Sequence, residues 1–411
     1  MKICGLIAEY NPFHNGHLHH IEQARALTGC DYLVVVMSGY YVQRGTPAVI
    51  DKYARTRMAL NGGADLVIEL PTLFSTASAE TFATAAVSLL YQLGCVDAIC
   101  FGTEAGDLTA LQKIAQVLNH EPESFQEDLR DGLKMGLNFA KARSVALENY
   151  FGGEIDRLDE LIETPNNILG IEYLRAIDRL NAGITPYTVK RWATDYHSVR
   201  VYEDTASATA LRYMLYEEDA IDRITPYVPA FITREFALKL GISTPVRADD
   251  FSMILQDRLL MHRDHLTDFL DFSSDLADRV NNILPDAYTF KEWAAALKSK
   301  AYTRTRINRA LLHVILNIRE EDLEAYRDED YCMYARILGF REAASPLLTK
   351  INRSTALPMI GKMSGAKKLL SDKAMRLLQT DIDAADIFRN VVYQKFGTTL
   401  MDEYKHGIIK Q

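Results

Sequence analysis

Short apolar runs alternate with helical patterns through the first half of the chain. The segments between the runs carry apolar residues at helical spacing, and the runs are continuous, as in strands covered on both faces. This alternation is typical of parallel strands joined by crossover helices, so the sequence predicts an open α/β sheet. The predicted strands are ICGLIA (3–8), YLVVVMS (32–38), DLVIEL (65–70), DAICFG (97–102) and YTVKRW (187–192).

The strand signal fades in the second half of the chain. A longer helical excursion occupies about residues 107–181, and almost no strand pattern follows Ser207. The sequence therefore predicts an N-terminal α/β domain over residues 1–220 and an all-α C-terminal domain over residues 221–411. Ligands of open α/β sheets bind outside the carboxyl ends of the strands, so we expect the loops that follow the strands to converge there.

Composition excludes several classes of protein. The 411 residues are 48% hydrophobic and 25% charged, which suits a globular chain of two or three domains. No apolar run reaches the ~20 residues of a membrane span, and MKICGLIAEY has no basic n-region, so we expect a cytoplasmic protein without a membrane partner. The five cysteines never show CxxC spacing, which predicts neither disulfides nor a metal site. A net charge of −9 argues against nucleic-acid binding by the whole surface.

The stretch EYNPFHNGHL follows the first predicted strand. His14 and His17 lie one turn apart at the start of a helix that begins near Leu18, where free backbone N–H groups and the helix dipole favour an anion. Gly16 leaves room for a phosphate. The stretch predicts a pocket for a triphosphate that is attacked in line at its α-phosphorus, with His14 and His17 as catalytic residues.

Two other interpretations of this stretch stay open. A four-residue HxGH pattern also arises by chance, in which case the histidines are ordinary turn residues. HNGHLHH also places His14, His17, His19 and His20 within seven residues, as a metal site would, although His19 and His20 turn onto different helix faces.

A second element follows the fifth predicted strand. SATALR, residues 207–212, opens another helix. Ser207, Thr209 and Arg212 would hold the β- and γ-phosphates by charge-assisted hydrogen bonds. The alternative is a Ser or Thr N-cap followed by a solvated arginine.

These motifs carry a resemblance to a known family. HxGH and Ser-x-Thr-x-x-Arg are similar to the nucleotidylyltransferase branch of the HIGH superfamily. The wider set GLIAEYNPFHNGHL, VMSGYYVQRGTPAV, GADLVIELP, FGTE, PNNILGIEYL, DYHS and SKAYTRTRINRALLH resembles the bacterial tRNA(Met) cytidine acetate ligases over most of the chain. Ala206 and Ala208 depart from the usual Ile-Ser-Ser/Thr-x-x-Arg form, which leaves the phosphate contacts of the second motif open.

The resemblance implies an ATP-dependent ligase. Such an enzyme activates acetate as acetyl-adenylate and transfers the acetyl group to N4 of the wobble cytidine of elongator methionine tRNA, giving N4-acetylcytidine. ATP, Mg²⁺, acetate and this tRNA are the implied ligands, without an obligate protein partner.

The same resemblance assigns roles to the two predicted domains. It implies a Rossmann-like, HUP-type fold for the catalytic domain at 1–220 and tRNA binding by the locally basic residues 221–411. Ser207, Thr209 and Arg212 would join an ATP site made of Ile7, Ala8, Glu9, Tyr10, Asn11, Pro12, Phe13, His14, Asn15, Gly16, His17, Leu18, His19, His20, Gly102, Asn166, Asn167, Arg191 and Trp192.

Two basic stretches, 291–319 and 336–376, lie in the second half of this acidic chain. Cations interleaved with Tyr302 suit contact with RNA phosphates and stacking on an unpaired base, although solvated cationic faces are the alternative. Tyr40, Tyr41 and Gln43 are predicted to line the site of the cytidine. The predicted RNA contacts are Arg44, Lys298, Lys300, Arg304, Arg306, Arg309, Lys367 and Lys368.

Two other functions remain open from the residues alone. A nucleotidylyltransferase acting on a small phosphate-bearing acceptor would share the first half of the chain, but it would have no use for the basic second half. A non-catalytic RNA-binding protein would not need an intact His14, Gly16 and His17.

Overall fold

A computed structural model describes residues 1–191, 206–217, 219–284 and 289–411. The strands in these ranges are β1 Ile3–Ala8, β2 Tyr32–Ser38, β3 Tyr41–Val42, β4 Thr46–Pro47, β5 Leu66–Leu70, β6 Ala98–Thr103, β7 Thr185–Lys190, β8 Ala335–Phe340, β9 Met359–Ile360 and β10 Ile409–Lys410. The α-helices are α1 Asn15–Thr28, α2 Lys52–Asn61, α3 Thr72–Ser75, α4 Ala79–Gln92, α5 Leu108–His120, α6 Glu123–Lys134, α7 Phe139–Phe151, α8 Leu158–Glu163, α9 Pro165–Arg179, α10 Ala208–Met214, α11 Ala220–Ile224, α12 Ala230–Ala237, α13 Ser252–Met261, α14 Ser274–Ile283, α15 Phe290–Ala296, α16 Arg304–Leu316, α17 Glu320–Arg327, α18 Ser345–Ser354, α19 Ala366–Leu369 and α20 Asp372–Phe396.

One central sheet has the strand order β10-β8-β5-β2-β1-β6-β7, with β9 paired to β8. All pairings in it are parallel except that of β5 with β8. From β1 the chain winds outward to β2 and β5 on one side, and then to β6 and β7 on the other. The direction in which successive strands are added to the sheet therefore reverses beside β1. A crevice is expected there, at the carboxyl ends of β1 and β6.

The strands are apolar because helices cover them. The five residues Leu33–Met37 of β2 are fully buried. Gly5 of β1 has α4 directly above it, since a Cβ there would lie 2.6 Å from Leu90. This burial of aliphatic side chains is the main favourable contribution to the stability of the sheet.

The predicted α/β class is confirmed. β1 and β2 have the predicted bounds, and β5, β6 and β7 differ from theirs by one or two residues. The stretch 107–181 contains α5 to α9. None of the described helices has the combination of length and apolar character that a membrane crossing requires.

The prediction of an all-α second half is wrong, because β8, β9 and β10 extend the same sheet. Arg336 and Gly339 weaken the strand signal of ARILGF. Arg336 is nevertheless buried, since it pairs with Glu69 at 3.0 Å and with Glu403 at 2.5 Å. The division near residue 220 stays a prediction, but the segment after it is not purely helical.

Candidate active site

A cavity lies at the carboxyl ends of β1, β6 and β7. Its walls come from the turn after β1, α1, the β3–β4 hairpin, α4, α9 and the start of α10. The described lining residues are Ile7, Ala8, Glu9, Tyr10, Asn11, His14, Gly16, His17, His19, His20, Gln43, Arg44, Phe82, Phe101, Gly102, Asn166, Leu169, Tyr173, Val189, Lys190, Arg191, Ala206, Ser207, Ala208, Thr209 and Arg212.

The lining of this cavity is cationic. Among the described lining residues, Arg44, Lys190, Arg191 and Arg212 are accompanied by a single carboxylate, that of Glu9. Burial lowers the pKa of Arg44, and the nearby guanidinium groups of Arg212 and Arg191 lower it further. Burial likewise lowers the pKa of Arg191 and of Arg212. An excess of positive charge in a concave site favours a polyanion such as a triphosphate.

His14 and His17 form a stacked pair at the start of α1. Their ring centroids lie 3.7 Å apart with 24° between the planes. The backbone N–H of His14 donates to Nδ1 of His17 at 3.3 Å. Because Nδ1 accepts this hydrogen bond, a neutral His17 carries its proton on Nε2 and can donate it to a ligand.

Both imidazoles are neutral near pH 7. Burial lowers the pKa of His14 to about 3, with smaller contributions from Arg191 and Arg212. Burial also holds the pKa of His17 well below its usual value, and the neighbouring His14 and Arg191 act in the same direction. The pair therefore acts on a ligand through hydrogen bonds and not through fixed positive charge.

Gly16 makes room for the ring of His14. A Cβ at residue 16 would lie 2.9 Å from Cε1 and 3.1 Å from Nδ1 of His14. The glycine therefore allows that imidazole to fold back over the first turn of α1, in addition to the predicted room for a phosphate.

Arg212 connects the two sequence motifs. Its Nη1 donates to the carbonyl oxygen of Asn11 at 2.7 Å, and its Nη2 donates to Oγ1 of Thr209 at 3.0 Å. Ser207 is the N-cap of α10, because its Oγ accepts from the N–H of Ala210 at 3.1 Å. The turn after β1 and the start of α10 therefore form one structural unit.

Reciprocal hydrogen bonds fix the start of α9. Oδ1 of Asn167 accepts from the N–H groups of Glu104 and Ala105 at 3.0 and 3.3 Å. The carboxylate of Glu104 accepts from the N–H of Asn167 at 3.0 Å and from Nδ2 of Asn166 at 2.6 Å. Glu104 therefore satisfies the free N–H donors at the N-terminus of α9, so these donors are not available to bind a phosphate.

Other lining residues are apolar and aromatic. The rings of Phe101 and Tyr173 have centroids 5.5 Å apart, and Phe82 and Leu169 line the cavity with them. Gly170 lets α9 approach β6, because a Cβ there would lie 2.9 Å from the ring of Phe101. Apolar and cationic groups in one cavity suit the base and the phosphates of a nucleotide.

Comparisons with known proteins bear on this site. A family model described as "HIGH Nucleotidyl Transferase" matches residues 1–403. The chain is 39% identical over 416 residues to the tRNA(Met) cytidine acetate ligase of Thermoanaerobacter sp. (strain X514), with 100% of each chain covered. It is 40% identical over 412 residues to the enzyme of the same name from Caldanaerobacter subterraneus subsp. tengcongensis, again with 100% coverage of each. The chain belongs to the tRNA(Met) cytidine acetate ligase family.

Solved structures of Thermotoga maritima TmcAL share the family fold. The apo form I structure matches with a TM-score of 0.93 and 30% identity. The form II structure, bound with alpha-thio ATP, matches with a TM-score of 0.91 and 31% identity. Each match covers 100% of this chain and 99% of the other, so the fold of this family member is shared along its whole length.

Most of the predicted ATP-site residues lie together on the cavity, although their roles remain predictions. Those that line it are Ile7, Ala8, Glu9, Tyr10, Asn11, His14, Gly16, His17, His19, His20, Gly102, Asn166, Arg191, Ser207, Thr209 and Arg212.

Five predicted ATP-site residues are not among the described lining residues: Pro12, Phe13, Asn15, Leu18 and Asn167. Phe13 is fully buried, with its ring 6.1 Å from that of Phe231, and Leu18 packs against the core. Asn15 donates from Nδ2 to a backbone carbonyl of the segment before α12. These side chains shape the turn instead of facing the cavity. Trp192 and the DYHS motif lie outside the described residues.

Sequence reasoning missed the lining residues Phe82, Phe101, Leu169, Tyr173, Val189 and Lys190. Phe101, Val189 and Lys190 end strands of the predicted sheet, and that position was the available signal. Leu169 and Tyr173 belong to PNNILGIEYL, in which only Asn166 and Asn167 were predicted to contact ATP, and Phe82 lies on a helix face that no motif marks.

Some of the predicted RNA contacts are corrected by the structure. Lys298, Lys300, Arg304, Lys367 and Lys368 are exposed. Arg309 is only 8% exposed and pairs with Asp271 through Nε at 2.9 Å and Nη2 at 3.1 Å, so it is not a free RNA contact. Arg306 is half-buried, with its guanidinium 5.2 Å from the ring centre of Tyr302.

The predicted aromatic RNA contacts are buried. Tyr302 is 6% exposed and its hydroxyl pairs with that of Ser273, so it cannot stack on a base. Tyr40 donates to Glu403 at 3.2 Å, and Tyr41 is also buried, so neither lines the cavity. Gln43 and Arg44 of the same stretch line the cavity instead.

The β3–β4 hairpin joins the cavity to α16. Gly45 has a φ of +72°, and a Cβ there would overlap the backbone nitrogen of Arg309. At the other side of the hairpin, Oε1 of Glu9 accepts from the N–H of Gln43 at 2.9 Å. Arg44 lies between these contacts and lines the cavity. The middle of α16, at Asn308 and Arg309, is therefore close to the candidate active site.

Proposed function

We propose that this protein is an ATP-dependent tRNA(Met) cytidine acetate ligase. It would activate acetate as acetyl-adenylate and acetylate N4 of the wobble cytidine of elongator tRNA(Met). The observation that carries this proposal is the cationic cavity formed by both nucleotide motifs, in a chain 39% identical to such a ligase along its full length. We expect it to act in the cytoplasm, where its substrates are.

In the first step an acetate oxygen attacks the α-phosphorus of ATP, the bond to the bridging oxygen breaks, and pyrophosphate leaves. Negative charge grows on the departing phosphates. Arg191, Arg212 and the Nε2–H of His17 are suited to donate hydrogen bonds to this charge. Because Arg212 is already fixed to Asn11 and Thr209, little reorganisation is needed.

In the second step N4 of the cytidine attacks the acetyl carbon, the bond to the adenylate oxygen breaks, and AMP leaves. N4 loses one proton, which passes to water. The cytidine would reach the cavity beside the β3–β4 hairpin, where Gln43 and Arg44 line the wall and Gly45 touches the middle of α16.

Mg²⁺ fits this cavity as a companion of ATP. The described residues form no cluster of three metal-ligating side chains, and Glu9 is the single carboxylate of the described lining. Mg²⁺ is commonly held by substrate phosphates with one or two carboxylates, and Glu9 would supply the carboxylate here. When bound, the ion would neutralise charge on the phosphates.

The fate of the α-phosphate distinguishes this proposal from a nucleotidylyltransferase. With ATP labelled at the α-phosphorus, the ligase releases the label as free AMP only when acetate and tRNA are both present. A nucleotidylyltransferase would instead join the label to a small phosphorylated acceptor. That second result, without AMP release on tRNA, would overturn the proposal.

A further inference from the structure

The turn between α6 and α7 carries an exposed apolar cluster, defined here as the α6–α7 tip, residues 133–141. Leu133, Met135 and Phe139 are 42%, 82% and 59% exposed. Three large apolar side chains within seven residues on an outer turn are unlike the scattered apolar residues of an ordinary surface, and such patches mark binding sites.

The α6–α7 tip is attached to the first basic stretch. Nδ2 of Asn138 donates to the carbonyl oxygen of Lys300 at 3.3 Å. Lys298 and Lys300 beside this contact are exposed, as are Lys134 and Lys141 of the tip, although Lys134 also pairs with Asp131 at 3.0 Å. Lysines therefore frame the apolar cluster.

The first basic stretch has no exposed aromatic ring of its own. Trp293 is fully buried, and Tyr302 is 6% exposed. Phe139 provides the aromatic group at the adjacent surface. The guanidinium of Arg143 lies 6.0 Å from the centre of the Phe139 ring, and Phe139 is still more than half exposed.

We propose that Phe139 stacks on an unpaired base of the substrate tRNA while the surrounding lysines bind its phosphates. Cationic groups around an exposed aromatic ring are the usual platform for single-stranded nucleic acid. This inference rests on the proposed function, because that function supplies the tRNA. The lysine frame favours RNA over an apolar protein partner or a second copy of the chain.

The distance to the cavity suits a tRNA anticodon arm. From Lys300 to Arg304 the chain spans at most ~14 Å. From Arg304 to Arg309 the helix α16 rises ~7.5 Å. The backbone of Arg309 touches Gly45, next to the cavity residue Arg44. A loop with one base in the cavity therefore reaches the α6–α7 tip with a neighbouring part of the same arm.

Substitution of the ring tests this proposal. Phe139→Ala should weaken tRNA binding about tenfold, the loss expected for one stacked base, and leave the KM for ATP unchanged. Phe139→Trp should restore binding. Tyr150→Ala, at the far end of the same helix, is the matched control because Tyr150 is also an exposed aromatic, at 40%. The salt dependence of binding should be unchanged in Phe139→Ala, since no charge is removed.

Two outcomes would overturn the assignment of Phe139. The first is wild-type tRNA affinity in Phe139→Ala. The second is dissociation of an oligomer in that variant by light scattering, which would identify a second copy as the occupant. Wild-type protein that fails to acetylate tRNA at all would instead overturn the proposed function, so the two failures are distinguishable.

Discussion

Arg212 donates a hydrogen bond to the carbonyl oxygen of Asn11 at 2.7 Å, although 201 positions separate the two residues in the sequence. Asn11 lies in the turn that leads to the two histidines, and Arg212 lies in the first turns of α10. One guanidinium thus holds both nucleotide motifs in a fixed relation.

Arg212→Lys keeps the positive charge but loses the forked geometry of the guanidinium. A single ammonium cannot replace both the bond to Asn11 and the bond to Thr209, so we expect the rate of adenylate formation to fall by about tenfold or more. Pyrophosphate release measures this rate. Unchanged pyrophosphate release would contradict the role given to Arg212, and tRNA affinity serves as the control that should not change.

Gly16→Ala places a Cβ 2.9 Å from Cε1 of His14. We expect the imidazole to shift and pyrophosphate release to slow by roughly 10- to 100-fold, because a displaced donor stabilises the transition state less well. Alanine is a better helix former than glycine, so the unfolding midpoint should not decrease. A variant that lost activity only through lower stability would argue against this explanation.

Protonation of the buried histidines should make the fold less stable in acid. Burial lowers the folded-state pKa of His14 to about 3 and of His20 to about 4, whereas unfolded histidine titrates near 6.5. Between these values the unfolded chain binds more protons, so stability is full above about pH 6.5 and falls as the pH decreases. Urea unfolding at pH 7 and pH 5 measures this loss, and His20→Gln should reduce it.

The same lowered pKa values predict the pH dependence of catalysis. Because burial lowers the pKa of His14 to about 3 and holds the pKa of His17 well below its usual value, kcat/KM for ATP should show no inflection near 6.5. An inflection near 6.5 that disappeared in His17→Gln would show a protonated, cationic His17 instead.

Two arginines of α16 should behave differently. Arg309→Ala removes the guanidinium partner of Asp271, whose side chain is 14% exposed, and should reduce the free energy of unfolding by ~3 kcal/mol. Exposed Arg304→Ala should leave stability unchanged and reduce the salt slope of tRNA binding by about one. Equal effects of the two substitutions on stability would contradict the burial of Arg309.

The sequence predicted those features that depend on local pattern. β1 and β2 had the predicted bounds because their apolar runs are continuous, and the HNGH turn lies where the first strand ends. β8 was missed because the burial of Arg336 depends on Glu69 and Glu403, which are distant in the sequence. No local pattern distinguishes a charge that is paired in the interior from one that is solvated.

The same reason explains the errors among the RNA contacts. Arg309 and Tyr302 lie in a stretch rich in exposed cations, but Asp271 and Ser273 from another segment satisfy them. The apolar lining residues of α4 and α9 were likewise not predicted, although α9 contains the PNNILGIEYL motif, because their contact with the cavity is set by the packing of the whole sheet.

Acetylation of cytidine tests the central claim most directly. Purified protein is incubated with ATP, Mg²⁺, isotopically labelled acetate and unmodified elongator methionine tRNA, and the nucleosides are analysed by mass spectrometry. We expect label in N4-acetylcytidine with the wild-type chain and a loss of roughly 100-fold or more with His17→Ala, which removes a hydrogen-bond donor to the departing phosphates. Absence of labelled cytidine with the wild-type chain, or undiminished label with His17→Ala, would contradict this role and the proposed activity.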